Sequence, residues 1–168
     1  MSGSTYPQQH LFTLPLIGQG GHAGALYTRR VVEPITPGQA LRFFAVGYLV
    51  LDLLHTADHI RQGRSPAAAV VTLGLLNIAT ALVVMVLVLR RHPVAPLAAA
   101  AFGTTAFIGL LAVHVAPSWG VLSDSYLPLH LDAISWLSVV ALLVAAAGMA
   151  LAGASALRSP TPQGRLAT

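Results

Sequence analysis

The sequence predicts an all-α protein, an integral membrane four-helix bundle running up-down-up-down with its N and C termini cytoplasmic. Three observations carry that expectation. Of 168 residues, 55% are hydrophobic and only 8% are charged, against about 25% charged in soluble domains. The apolar residues gather into four windows, each of the roughly 20 residues that cross about 30 Å of hydrocarbon at about 1.5 Å per residue. The links after the first and second windows are short, which makes successive helices antiparallel neighbours.

Residues 1–37 come first. They hold Pro7, Pro15, Pro34, Pro37 and a glycine-rich run, Gly18–Gly24, and show no helical or strand period. A flexible tail, free or lying on a partner, is expected there. The run Gly18-Gln-Gly-Gly-His22 lacks the Lys-Ser/Thr that a phosphate loop needs. No basic n-region precedes an apolar core, so the first span is expected to serve as the targeting signal.

The four spans are placed at about 38–60, 66–89, 94–116 and 131–157, followed by a C-terminal tail, 158–168. Pro66, Pro93 and Pro96 punctuate helix entries and Pro117 an exit. Links at 61–65 and 90–93 join the first three spans. Small residues line the third span (Ala98–Ala101, Gly103, Ala106, Gly109, Ala112) and the fourth (Ala145–Gly148, Ala150, Ala152, Gly153), and such faces let helix backbones approach closely.

The net charge of +4 comes from nine arginines and no lysine, scattered in ones and twos. That pattern lacks the basic footprint of a nucleic-acid binder and reads as a topology signal. With the N-terminus inside, Arg29, Arg30, Arg42, Arg90, Arg91, Arg158 and Arg165 are cytoplasmic and only Arg61 and Arg64 lie outside. Asp52, Asp58, Asp124 and Asp132 then gather toward the outer end, as do His55, His59, His114 and His130. Cys is absent, which excludes disulfides, thiolate metal sites and iron–sulfur clusters. The Ala-, Val- and Arg-rich usage suggests a GC-rich genome and hence a bacterial plasma membrane.

The chemistry is expected around Tyr48–His59, where Asp52, His55, Asp58 and His59 sit in an otherwise apolar span. An Asp at a helix centre costs roughly 2.5–3.5 kcal/mol on insertion scales, so such groups usually face a bundle interior and mark function. At about 100° per residue, Tyr48, Asp52, His55 and His59 share one stripe and Asp58 points off it. His55 and His59 have the i, i+4 spacing of a helical metal-binding pair. His114 closes the third span and His130 and Asp132 open the fourth, at the same expected boundary. The loop from Pro117 can fold back over it with Asp124 and Trp119.

The candidate metal ligands are therefore His55, His59 and His114, with Asp52, Asp124, His130 or Asp132 completing the set. Imidazole and carboxylate suit zinc, iron, manganese or cupric copper, for hydrolytic or redox chemistry. Met85 and Met149 lie toward the other end, which disfavours cuprous copper. Several readings compete. The polar groups form a hydrogen-bonded cluster fixing helix register; His55 and His114 ligate a haem b axially; or the chain is a non-catalytic accessory subunit of a larger membrane complex, or a homo-oligomer, docking through its small-residue faces. A conduction path from Asp52 through Asn77, Thr80 and Thr104 ends in apolar inner halves. Asp132 is suited to a helix N-terminus, Asp58 and Arg61 to a pair at headgroup level, and Trp119, Tyr126 and Trp136 to an interfacial aromatic belt.

Over a dozen residues, Asp52 with His55-x-x-x-His59 resembles the zinc site of membrane hydrolases of the alkaline ceramidase type. The resemblance concerns the kind of site, a zinc ion held by His and Asp. Those proteins have more spans than this chain.

Overall fold

The structure is a computed structural model that describes residues 35–64 and 66–159. The Gly18–Gly24 run, His10, His22 and both terminal tails beyond those limits lie outside the described residues. Four helices make up the fold, and each is long and apolar enough to cross a membrane. Helix α1 spans Pro37–Arg61, α2 Ala68–Leu89, α3 Ala95–Leu110 and α4 Ala133–Arg158. A π-helical turn, Leu111–Val115, continues α3.

Local sequence explains the ends. Thr36 caps α1: its hydroxyl accepts from Gln39 N, the Gln39 side chain accepts from Thr36 N, and Pro37 fills the first position. At the other end Gly63 takes a left-handed φ of 64°, letting Arg64 N reach the His59 carbonyl in a glycine-type helix stop. That stop turns Arg64 back toward the helix it leaves. α2 closes in the same way with Arg91 at φ 54°, a conformation costing a non-glycine residue roughly 1–2 kcal/mol.

Helices α1 and α3 both pack along α4, while α2 lies against α1 and α3. Leu41, Ala45, Ala99, Leu142, Ala146 and Met149 form the buried core. The small-residue faces of α3 and α4 meet each other. A Cβ on Gly103 would stand 2.6 Å from Ala150 N, and one on Gly153 2.7 Å from Ala100 N. Those faces, expected as docking surfaces for partners, are thus consumed inside the bundle. Outward, α2 and α4 present exposed Leu76, Val83, Leu137, Val144 and Leu151, as helix faces in hydrocarbon do.

Candidate metal centre

His55 and His59 leave α1 one turn apart and stack edge to face, ring centroids 4.8 Å apart. His114 arrives from the π-helical turn. Pro117 explains that turn, because the Val113 carbonyl would normally accept from residue 117 and proline has no N–H. Instead Ala116 N bonds to Leu111 O, and the following loop returns to serve the freed carbonyls. Asp124 N donates to Val113 O at 2.9 Å and Tyr126 N to His114 O at 2.8 Å. The loop thereby folds back over the end of the bundle and lays Asp124 and Tyr126 on His114. π-helical insertions of this kind concentrate at functional sites.

One ligand atom from each of His55, His59 and His114 lies within 4.8 Å of the others, close enough to hold a metal ion. His55 Nε2 and His114 Nε2 are 3.3 Å apart. Metal–imidazole bonds of about 2.0–2.1 Å at a tetrahedral angle put two ligand nitrogens about 3.3–3.4 Å apart. The rest of the hydrogen bonding fixes which ring nitrogens carry protons. His114 Nδ1 faces the Asp124 carbonyl at 3.3 Å, which only accepts, so Nδ1 is the donor. His55 Nδ1 faces Ser138 Oγ at 3.2 Å. That hydroxyl spends its own proton on the Ser135 carbonyl at 2.8 Å, so His55 Nδ1 donates too. With the Ser138 proton on the Ser135 carbonyl, both Nε2 atoms turn lone pairs toward each other in a buried setting. Lone pairs so placed repel unless a cation sits between them. Imidazoles that bind metals commonly donate the other ring N–H to a carbonyl or other acceptor, the pattern found here.

Asp124 stands behind the rings. Its Oδ1 pairs with Arg64, and its Oδ2 lies 3.7 Å from His59 Nδ1 and 4.0 Å from His114 Nδ1. His59 Nδ1 and Asp124 Oδ2 are buried without a hydrogen-bond partner among the described residues, and a slight approach would join them. Tyr126 is fully buried, 5.0 Å from His114 by ring centroids, with the Arg64 guanidinium 5.4 Å over its face. Burial first and the Asp124 charge second push its phenol up to about 12. It stays a neutral phenol at working pH. The expected place for Tyr126 in an interfacial belt is thus corrected, whereas Trp119 is exposed and donates to the Ala112 carbonyl.

The other acidic and imidazole candidates lie away from this cluster. Asp52 is buried one turn deeper and turned to α2, accepting from Asn77 Nδ2 at 2.7 Å; the same amide also donates to the Tyr48 hydroxyl at 2.8 Å. His130 is exposed in the loop before α4. Asp132 caps α4 by accepting from Ser135 N at 3.0 Å and pairs with Arg61 at 2.9 Å. Asp58 is buried rather than turned away; it takes Arg61 Nε at 2.8 Å and also the Gln62 amide, which in turn reaches Ser135 on α4. The His55 and His114 rings lie against each other, centroids 4.9 Å apart and Nε2 atoms 3.3 Å apart, with no gap for a flat macrocycle between them. No family model, curated relative or solved structure matches the chain.

The Asp132 pair gives an acid signature. Arg61 first, then the Ser135 bonds, hold the carboxyl down at about 2, below the ordinary 3.9 or so. A depressed pKa stabilises fully above the unfolded value and fades as pH falls toward the folded one. Melting of wild type and Asp132→Asn in detergent should differ at pH 5 and converge by about pH 2. The pair is half exposed, so the difference should shrink in high salt.

Proposed function

We propose that this chain is a multi-pass membrane metalloprotein of the bacterial plasma membrane, binding one divalent transition ion, zinc foremost, through His55, His59 and His114. The 3.3 Å approach of His55 Nε2 to His114 Nε2, with a ligand atom of His59 within 4.8 Å of both rings' ligand atoms, is the observation that carries the reading. A shared proton would relieve that pair alone, whereas a metal ion also engages His59. Three imidazoles with a further position open is the donor set of hydrolytic zinc sites, where the ion activates water or polarises a carbonyl. Around it, Ser138 and the Asp124 carbonyl hold the rings in the binding tautomer, and Arg64 fixes the Asp124 carboxylate. We place the centre at the extracytoplasmic end of an up-down-up-down bundle with both termini cytoplasmic. The arginine distribution supports that orientation, with Arg42, Arg90, Arg91 and Arg158 against Arg61 and Arg64 among the described residues.

Metal analysis of the detergent-purified full chain tests the proposal. One zinc per chain after loading and desalting is expected, and a chain that retains no metal overturns it. Ser138→Ala should weaken zinc binding by about 10–100-fold while leaving all three ligands present. Competition against a chromogenic chelator measures that shift.

A further inference from the structure

We propose that the centre serves a single-chain acyl amphiphile drawn sideways from the bilayer, its carbonyl-bearing head at the three histidines and its tail in a cleft between α2 and α3. The placing of the head rests on the metal reading above; the tail site stands on the cleft alone. A cavity of about 570 Å³ runs along α1, α2 and α3 and has His55, His59 and His114 in its wall, a size typical of small-molecule sites of about 300–1,000 Å³. Its charged and imidazole lining, Asp52, His55, His59, Arg64 and His114, lies with Asn77, and its remaining walls on α2 and α3 are mostly apolar, Thr80 and Thr105 giving their hydroxyls to backbone carbonyls of their own helices. A wholly polar ligand would leave those walls without a partner, and a pure hydrocarbon would leave the metal-binding face of the three imidazoles without one.

The opening is lateral. Val71, Leu75 and Leu76 line the cavity and are themselves 46%, 63% and 59% exposed, so the cleft gives onto the flank of α2 within its membrane-crossing length. What meets that flank in a membrane is lipid chain. Gly74 and Gly109 also line it, and a Cβ on either would meet nothing within 4 Å. Neither glycine is needed for close packing; both leave space. At roughly 30 Å³ per water-sized group, the volume takes a chain of about sixteen carbons with its head.

The test uses the zinc-loaded full chain in phosphatidylcholine nanodiscs and a sixteen-carbon fatty acid carrying a mid-chain diazirine. After photolysis, peptide mass spectrometry should find adducts concentrated on α2 and α3 around Leu75 and Leu110, falling at least tenfold in Gly109→Leu. Gly74→Leu fills the opposite wall and should do the same, which guards against one variant misfolding. Adducts as heavy on outward-facing Val144 and Leu151 as in the cleft, or labelling unchanged in both variants, overturn the proposal. Zinc content is measured on the same samples. Cleft labelling in a chain that holds no zinc sinks the metal reading and keeps the tail site. Dispersed labelling in a zinc-loaded chain does the reverse.

Discussion

Replacing His55 with Ala is expected to take bound zinc from one ion per chain to background. His55 is the central ring of the three: it stacks on His59 at 4.8 Å and on His114 at 4.9 Å, and its Nε2 is one of the two facing lone pairs. Without it, His59 and His114 remain on different helices as a two-ligand remnant. His114→Ala should be as severe, because it removes the other lone pair. His130→Ala and Asp132→Asn should each retain one zinc, since both side chains lie away from the cluster. Thermal unfolding provides a second readout. An ion that binds only the folded chain adds about 2.7 kcal/mol at a hundredfold excess over its Kd, so zinc should raise the wild-type Tm and leave His55→Ala unmoved. In chelator the order should change. The substitution deletes a buried repulsion, and the variant should then lose less stability than an imidazole-sized cavity alone would cost. A wild type whose Tm ignores zinc would refute the centre.

The helices were legible because membrane-length hydropathy is a strong signal: the expected spans of 38–60, 66–89, 94–116 and 131–157 fall within a few residues of the observed elements. The His55–His59 pair was legible from helical spacing, and convergence with His114 from counting which ends of the spans meet. Other parts were hidden for physical reasons. Asp58 falls off the stripe of Tyr48 and His55, yet α1 packs against both α2 and α4. Its buried arc is therefore wider than one stripe, and Asp58 faces the α4 side. Tyr126 and the Asp124 carbonyl reach His114 only through a loop path set by the missing N–H of Pro117. The spacing of His114 and Pro117 was the available clue to that turn. Ser138 sits in an apolar run of α4, and nothing in its neighbourhood marks it as the acceptor for an imidazole on another helix.

Gly103→Val and Gly153→Val should each destabilise the bundle by about 1–3 kcal/mol, and by more if the helices cannot part. A Cβ on Gly103 would stand 2.6 Å from Ala150 N and 2.7 Å from Ala146 O, and one on Gly153 2.7 Å from both Ala100 N and Pro96 O. These are backbone atoms of the facing helix, so no rotamer change clears the way and α3 must move off α4. Hydrocarbon offers little hydrophobic drive to restore that contact, since lipid tails are as apolar as the side chains they replace. Gly47→Val is the matched control, because nothing lies within 4 Å of its Cβ position. It should change stability by no more than a few tenths of a kcal/mol, the β-branch being roughly as helix-compatible as glycine or better. Gly103 is eleven residues before His114, about 16 Å along the helix at about 1.5 Å per residue. The clamp and the metal centre therefore occupy different halves of the bundle. At saturating zinc the two clamp variants should keep one ion per chain while their melting temperatures fall. If zinc disappears along with stability, the two halves are a single cooperative unit and the centre depends on the whole α3–α4 contact, not on the loop and rim that surround it.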